Sequence, residues 1–245
     1  MLKAIRIVGD RELIEALRGV ARDDVPFVTA YALTKTGQDV KAAEYSEMQR
    51  VFDRPTRYAL NSLQLKTATK QDLTAVVDYK LFGGVPAERY LGPNVEGGAR
   101  RHKSHERALI SAGVMRSDEF AVPGKGAVLD TYGNMKGGHL SRILSQVRAS
   151  RDPTQNMTAK SRKRSIKSAG GQYFVLRDSS AAPGIYQRSG SRGPIVPVLL
   201  FVRAPKYQRR FDFYGVGQRI FSQNIASHVR AGWSRAMASR RKAAA

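Results

Sequence analysis

Residues 184–207 read GIYQRSGSRGPIVPVLLFVRAPKY. A short arm over 185–188 gives way to Gly, Ser and Arg, and then to a nearly uninterrupted apolar run over 195–202. An apolar run of that length is the mark of a strand buried on both faces. The Gly/Ser/Pro punctuation between the arms marks turns. With 173–177 upstream, three strands result, and an antiparallel meander is the simplest connection between them. Pro197 pulls the other way: it lacks an N–H and belongs at an edge or a bulge.

Downstream, Phe221, Ile225, Val229, Trp233 and Met237 recur every four residues, with His228 and Ala236 beside them. That spacing predicts a long helix over about 211–241. Arg240, Arg241 and Lys242 stand at its C-terminal end, where the helix dipole favours cations. Upstream, the pattern predicts a short strand over 2–8 and a short helix after Asp10 with Leu13, Ile14 and Leu17 on one face. A longer helix is expected from Asp24, with Pro26 near its first turn, Gly37 as a break or bend and Pro55 as its stop. LQLKTATKQDLTAVVDYK (63–80) reads as two extended arms about a turn at 69–72.

The middle is punctuated by Gly and Pro. It holds a short helix around Glu106 to Ile110 and a second over about 136–149, where Leu140, Ile143, Leu144 and Val147 make an amphipathic stripe. Residues 150–171 carry almost no large apolar side chain but hold Arg162, Lys163, Arg164 and Lys167. Burial offers such a segment little to offset its ordering entropy, so a mobile loop is expected. The expected fold is therefore α+β: an antiparallel sheet with N-terminal helices and a long C-terminal helix. Residues 1–83 and 171–245 form the core, and 84–170 a loop-rich insertion.

The chain has 245 residues and 42% hydrophobic content, enough for a core. Its 42 Lys and Arg against 20 Asp and Glu give a formal charge of +22, which favours polyanions or acidic protein partners. The lack of cysteine excludes disulfides, thiol nucleophiles and thiolate metal sites. Charges interrupt every apolar window of the first nineteen residues, and no stretch approaches a membrane span, so neither a signal peptide nor a membrane association is expected.

His102 and His105 are three apart but separated by Lys103 and Ser104, and read as a solvated basic turn better than as a metal pair. PGKGAVLDTYGNMKGG (123–138) lacks phosphate-loop order and reads as a flexible connector. RAPKYQRRFDFY (203–214) mixes arginine with aromatics that either stack bases or pack a helix start. The carboxylates show no acid/base spacing. No catalytic residue, cofactor or metal is expected, and the chain is not expected to be an enzyme.

Residues 27–80, FVTAYALTKTGQDVKAAEYSEMQRVFDRPTRYALNSLQLKTATKQDLTAVVDYK, resemble the opening of phage proteins related to minor tail protein Z, in which a helix precedes a Pro-Thr turn and a basic strand pair. PAERYLGPNVEGGARRHKSHERALISAGVM and DTYGNMKGGHLSRILSQVRA are similar to a segment of prophage virion proteins. GIYQRSG, PIVPVLLFVRAPKY and the helix after them resemble the same family's C-terminal strands and helix. The resemblance implies a tail-completion or neck protein located in the virion and made in the host cytoplasm. It would form a ring of copies at the head–tail junction, against portal or adaptor and tail proteins, around the DNA path. The central insertion is longer than in compact members. On this reading Tyr186, Arg188, Arg192, Arg203 and Tyr207 are expected at subunit interfaces. Arg162, Lys163, Arg164 and Lys167 are expected against DNA or an acidic partner. The alternative is a basic nucleic-acid-binding protein outside the virion.

Overall fold

The computed structural model describes residues 5–8, 24–81, 85–169, 171–177, 180–188, 193–204 and 206–244. The expected helix after Asp10, the break at 83–84 and Arg192 lie outside them. The fold is α+β with antiparallel sheets, in two compact units. Unit 1 is Met1–Gly97 with Gln208–Ala245; unit 2 is Gly98–Tyr207.

Unit 1 is built on helix α1 (Asp24–Val51). Asp24 lies in its first turn, where the dipole favours an acid, and Pro26 sits where no N–H partner exists to lose. Val25, Val28, Ala32, Leu33, Val40 and Met48 are buried at helical spacing. Gly37 does not break the helix. A Cβ there would sit 2.7 Å from Leu65 Cδ1, so the glycine brings helix and sheet close together. The helix ends at Val51, and Arg54, at φ 45°, turns the chain just ahead of Pro55. Thr56 then caps α2 (Arg57–Leu60), accepting from the Ala59 N–H at 3.1 Å.

Strands β2 (Leu63–Lys66) and β3 (Thr74–Tyr79) pair antiparallel with Leu65 opposite Val77, and β1 (Ile5–Val8) covers the other edge of β3. The expected turn between β2 and β3 is closed by Thr69 N–H to Asp72 O at 2.8 Å and Asp72 N–H to Thr69 Oγ1 at 3.0 Å. Ala75 and Val77 of β3 pack with Leu33 and Val40 of α1. Helix α3 (Glu88–Glu96) adds Leu91 and Val95 to a cluster with Met48, Leu63, Tyr79, Phe211 and Phe213.

Helix α7 (Phe213–Ala244) runs back along α1. Val28 meets Gly232, Asp39 Oδ2 meets both Asn224 Nδ2 and His228 Nε2 at 2.7 Å, and Met48 meets the cluster at Phe211 and Phe213. Rising numbers on one helix meet falling numbers on the other, so the pair is antiparallel. A Cβ on Gly232 would lie 3.1 Å from Val28 Cγ1, so the glycine permits a close approach of the two. Of the expected stripe, Phe221, Ile225 and Trp233 pack against the core and Val229 is buried in it, while Met237 is exposed.

Unit 2 carries the four-stranded sheet. Its elements are β4 (Gly98–Ala99), α4 (Ser104–Ser111), β5 (Glu119–Pro123), α5 (Gly137–Gln146), a 3₁₀ turn at Pro153–Gln155, α6 (Ala159–Ala169), β6 (Gln172–Leu176), β7 (Gly184–Arg188), β8 (Ile195–Arg203) and β9 (Lys206–Tyr207). The sheet order is β5-β8-β7-β6, and β4 pairs with β9 as a short ribbon. Leu109, Ile143, Ile185, Val198 and Leu199 are its most buried core residues.

Three expectations change here. The meander does not join the N-terminal strands: β8 pairs with β5, a five-residue strand missed in the sequence, so the boundaries fall at 97/98 and 207/208 and not at 83/84 and 170/171. Residues 159–169 are helix, not loop. Thr158 caps that helix by accepting from Ser161 N–H at 3.2 Å, and its Ala, Lys and Arg residues are strong helix formers. Residues 123–138 are ordered: Asp130 Oδ1 accepts from Tyr132 and Asn134 N–H at 2.9 and 2.8 Å, and Lys136 N–H donates to Val128 O at 2.9 Å.

Pro197 lies in an internal strand and is tolerated by a bulge. Ile185 pairs with Leu199 but Tyr186 with Pro197, which leaves Val198 as the extra residue.

Glu44 is fully buried on α1 with no hydrogen bond to either carboxylate oxygen. Burial pushes its pKa up to about 9, aided by Glu47 and Asp212 and opposed by Arg219. The fold therefore keeps a proton that the unfolded chain releases above its ordinary carboxylate value. Stability falls as pH rises from about 4.5 to about 9. Glu44→Gln is expected to abolish this slope, of up to about 1.4 kcal/mol per pH unit, in urea unfolding followed from pH 5 to pH 8. Separately, a Cβ on Gly184 would lie 2.3 Å from the Leu199 carbonyl oxygen. Gly184→Ala is expected to destabilise unit 2 by about 1–3 kcal/mol in the same assay, by forcing β7 off β8.

Candidate basic interface

Part of the positive charge is structural. Arg100 forms a bidentate pair with buried Glu106, Nη1 to Oε2 at 2.6 Å and Nη2 to Oε1 at 2.5 Å, with its guanidinium 4.8 Å from the Phe120 ring centre. Arg177 repeats the pattern on Glu119, at 3.1 and 2.8 Å, 5.1 Å from the Phe201 ring centre, and also donates to Val114 O. Bidentate pairing over an aromatic face suits guanidinium and not ammonium. Burial alone pushes the Glu106 carboxyl up, but Arg100 and the N–H groups of Lys103 and Ala121 outweigh it and hold it at about 2.

The exposed charge is arranged differently. In α6, Lys160, Lys163, Arg164 and Lys167 fall at i, i+3, i+4 and i+7, one face of the helix. Lys163 and Arg164 are exposed; the Lys167 side chain is outside the described residues. Arg162 points away from this face, nearly to the opposite side of the helix, half-buried, with Nε buried and lacking a hydrogen bond. The helix has no acid, so its i,i+4 cations repel one another, and an anion would relieve them.

The described residues among those expected at interfaces do not form one patch. Tyr186 is buried, stands across from Phe174 and donates its hydroxyl to Ala182 O at 2.7 Å, so it serves its own sheet and is not offered to a neighbour. Arg188 is half-buried, 5.5 Å from the Phe174 ring centre. It pairs with Ile195 at one end of β8, while exposed Arg203 pairs with Glu119 at the other, about 26 Å away at 3.3 Å per residue. Tyr207 is half-buried in β9, beside Arg100.

His102 stacks on Phe120 with 4.3 Å between ring centres and meets Glu119 O at 2.9 Å. Burial lowers the His105 pKa to about 4, so the ring is neutral at pH 7. His139 Nδ1 accepts from Val128 N–H at 3.0 Å, which puts its proton on Nε2, toward Tyr173 Oη at 3.0 Å. Among the described residues no three His, Asp or Glu side chains gather to hold a metal, and no helix is long and apolar enough to cross a membrane. Phe211 and Phe213 pack the start of α7, the second of the two readings of 203–214.

A cleft in unit 1 escaped the sequence reading, because its walls come from three separate segments around 57–62, 80 and 85–90. Compared with known proteins, the chain matches no protein-family model, no curated protein and no solved structure.

Glu106 stabilises unit 2 fully above its ordinary value near 4.5, and that contribution is lost as pH falls toward 2. Arg100→Ala is expected to destabilise unit 2 by about 3–5 kcal/mol and to move its acid unfolding to higher pH, with Arg100→Lys recovering only part. Circular dichroism during acid titration reads both.

Proposed function

We propose that this chain is a phage virion structural protein, a tail-completion or neck component. It closes as a ring of copies around the DNA path at the head–tail junction, between portal or adaptor proteins and the tail. The observation that carries this reading is the resemblance to phage proteins related to minor tail protein Z, which extends over most of the chain. The helix, Pro-Thr turn and strand pair of that resemblance correspond to α1, the cap at Thr56, and β2 with β3. A heterologous contact repeated around an axis closes a ring. The cation stripe of α6 supplies the surface for DNA or an acidic neighbour.

A second reading, a nucleic-acid-binding protein outside the virion, is favoured by the same stripe. Two measurements separate them. Immunogold labelling of purified particles is expected to mark the head–tail junction; scattered or absent label overturns the virion reading. Binding of the pure protein to a duplex is expected to weaken steeply with salt, and Lys163→Ala with Arg164→Ala to reduce the slope by about 2. DNA binding without particle label selects the second reading.

A further inference from the structure

The cleft in unit 1 has a volume of about 360 Å³, within the range of small-ligand sites. Its floor is Ser62 and Ala87, both buried. Tyr58 and Tyr90 form one wall, with ring centres 6.0 Å apart at 41°. The Tyr58 hydroxyl donates to Val85 O at 2.8 Å and straps the 57–62 segment to the start of the α3 segment. Lys80 N–H donates to Ser62 O at 2.7 Å and ties the end of β3 to the floor. These bonds hold the three segments in place with the cleft open.

The rim is cationic. Arg57, Lys80 and Asn61 are exposed, and among the described residues no carboxylate lines the cleft. Neither Arg57 nor Lys80 forms an ion pair with a described carboxylate. Around them stand exposed apolar side chains: Tyr58 at 52%, Val85 at 56%, and Leu81 at 61% beside Lys80 in the chain. Large apolar side chains beside unpaired cations mark a surface that gains by being covered.

The geometry points to a docking site for a short peptide segment of another protein, carrying acidic side chains between apolar ones. The carboxylates pair with Arg57 and Lys80, and the apolar side chains cover Tyr58, Val85 and Leu81. Nucleic acid fits less well. A phosphate backbone would answer the cations but leave the aliphatic rim in water. The two tyrosine rings already touch, so no base slides between them. The inference goes beyond the proposed function, and its test reads the isolated full chain, so it stands or falls apart from where the protein resides.

The probe is a fluorescein-labelled octapeptide of alternating leucine and glutamate, followed by anisotropy. Arg57→Ser with Lys80→Ser is expected to weaken binding at least tenfold. Both residues are exposed, so the fold should persist, and a thermal melt checks it. Lys163→Ser with Arg164→Ser removes the same charge elsewhere and is expected to change binding less than twofold. Equal loss in both double variants overturns the proposal, because net charge alone would then explain binding. Equal affinity for an octapeptide of glutamate alone overturns it too, as does the absence of binding. Displacement of the peptide by a single-stranded oligonucleotide whose own binding needs Arg57 and Lys80 would make nucleic acid the occupant and refute the peptide.

Discussion

The antiparallel seam between α1 and α7 is the contact on which unit 1 depends. It joins residues nearly two hundred positions apart, as Asp39 and His228 are. Its spacing is set by small residues. Gly232 lets α7 approach Val28, and Gly37 lets the sheet approach α1 from another side. Along the seam the contacts change from apolar at Val28 and Val229, through the Asp39 clasp, to aromatic at Phe211 and Phe213. A one-turn slip would part all three at once, so the register is specified by unlike layers and not by any one contact. Glu44 lies inside this packing as a neutral acid, an exception to the apolar rule that persists because burial keeps its proton.

The charge of +22 divides into two populations with different consequences. Arg100 and Arg177 are tied to carboxylates and ring faces and act as internal braces of unit 2. Among the described residues, Lys163 and Arg164 of the α6 stripe and the pair at the unit 1 cleft meet no acid. The braces are geometric and only partly replaceable by lysine, whereas the stripe is a matter of charge density. A net charge alone cannot tell these roles apart, because the distinction lies in which arginines find a carboxylate after folding.

Local signals were legible in the sequence. The long helices, the stop at Pro55, the turn at 69–72 and the amphipathic stripe of α5 follow from period, proline chemistry and short-range hydrogen bonds. Signals that depend on distant partners were not. The strand at 119–123 is too short to declare itself until β8 lies beside it. Pro197 looked incompatible with a central strand because the bulge that accommodates it exists only in the pairing with β7. The helix over 159–169 is hidden in the sequence for a different reason. The segment has little apolar surface to bury, and its helix rests instead on the propensity of Lys, Arg and Ala and on the cap at Thr158. Of the candidate contacts, the cations of α6 show in the composition, whereas the burial of Tyr186 does not show in the short strand that carries it.

The ribbon of β4 and β9 brings the first and last residues of unit 2 side by side, with Gly98 opposite Tyr207. Paired strand residues stand only about 5 Å apart. A stretch of more than a hundred residues whose ends are neighbours is a cassette: a span of one or two peptide units would rejoin the chain if it were lost. Genetic gain, loss or exchange of that cassette need not lengthen the path between α3 and α7.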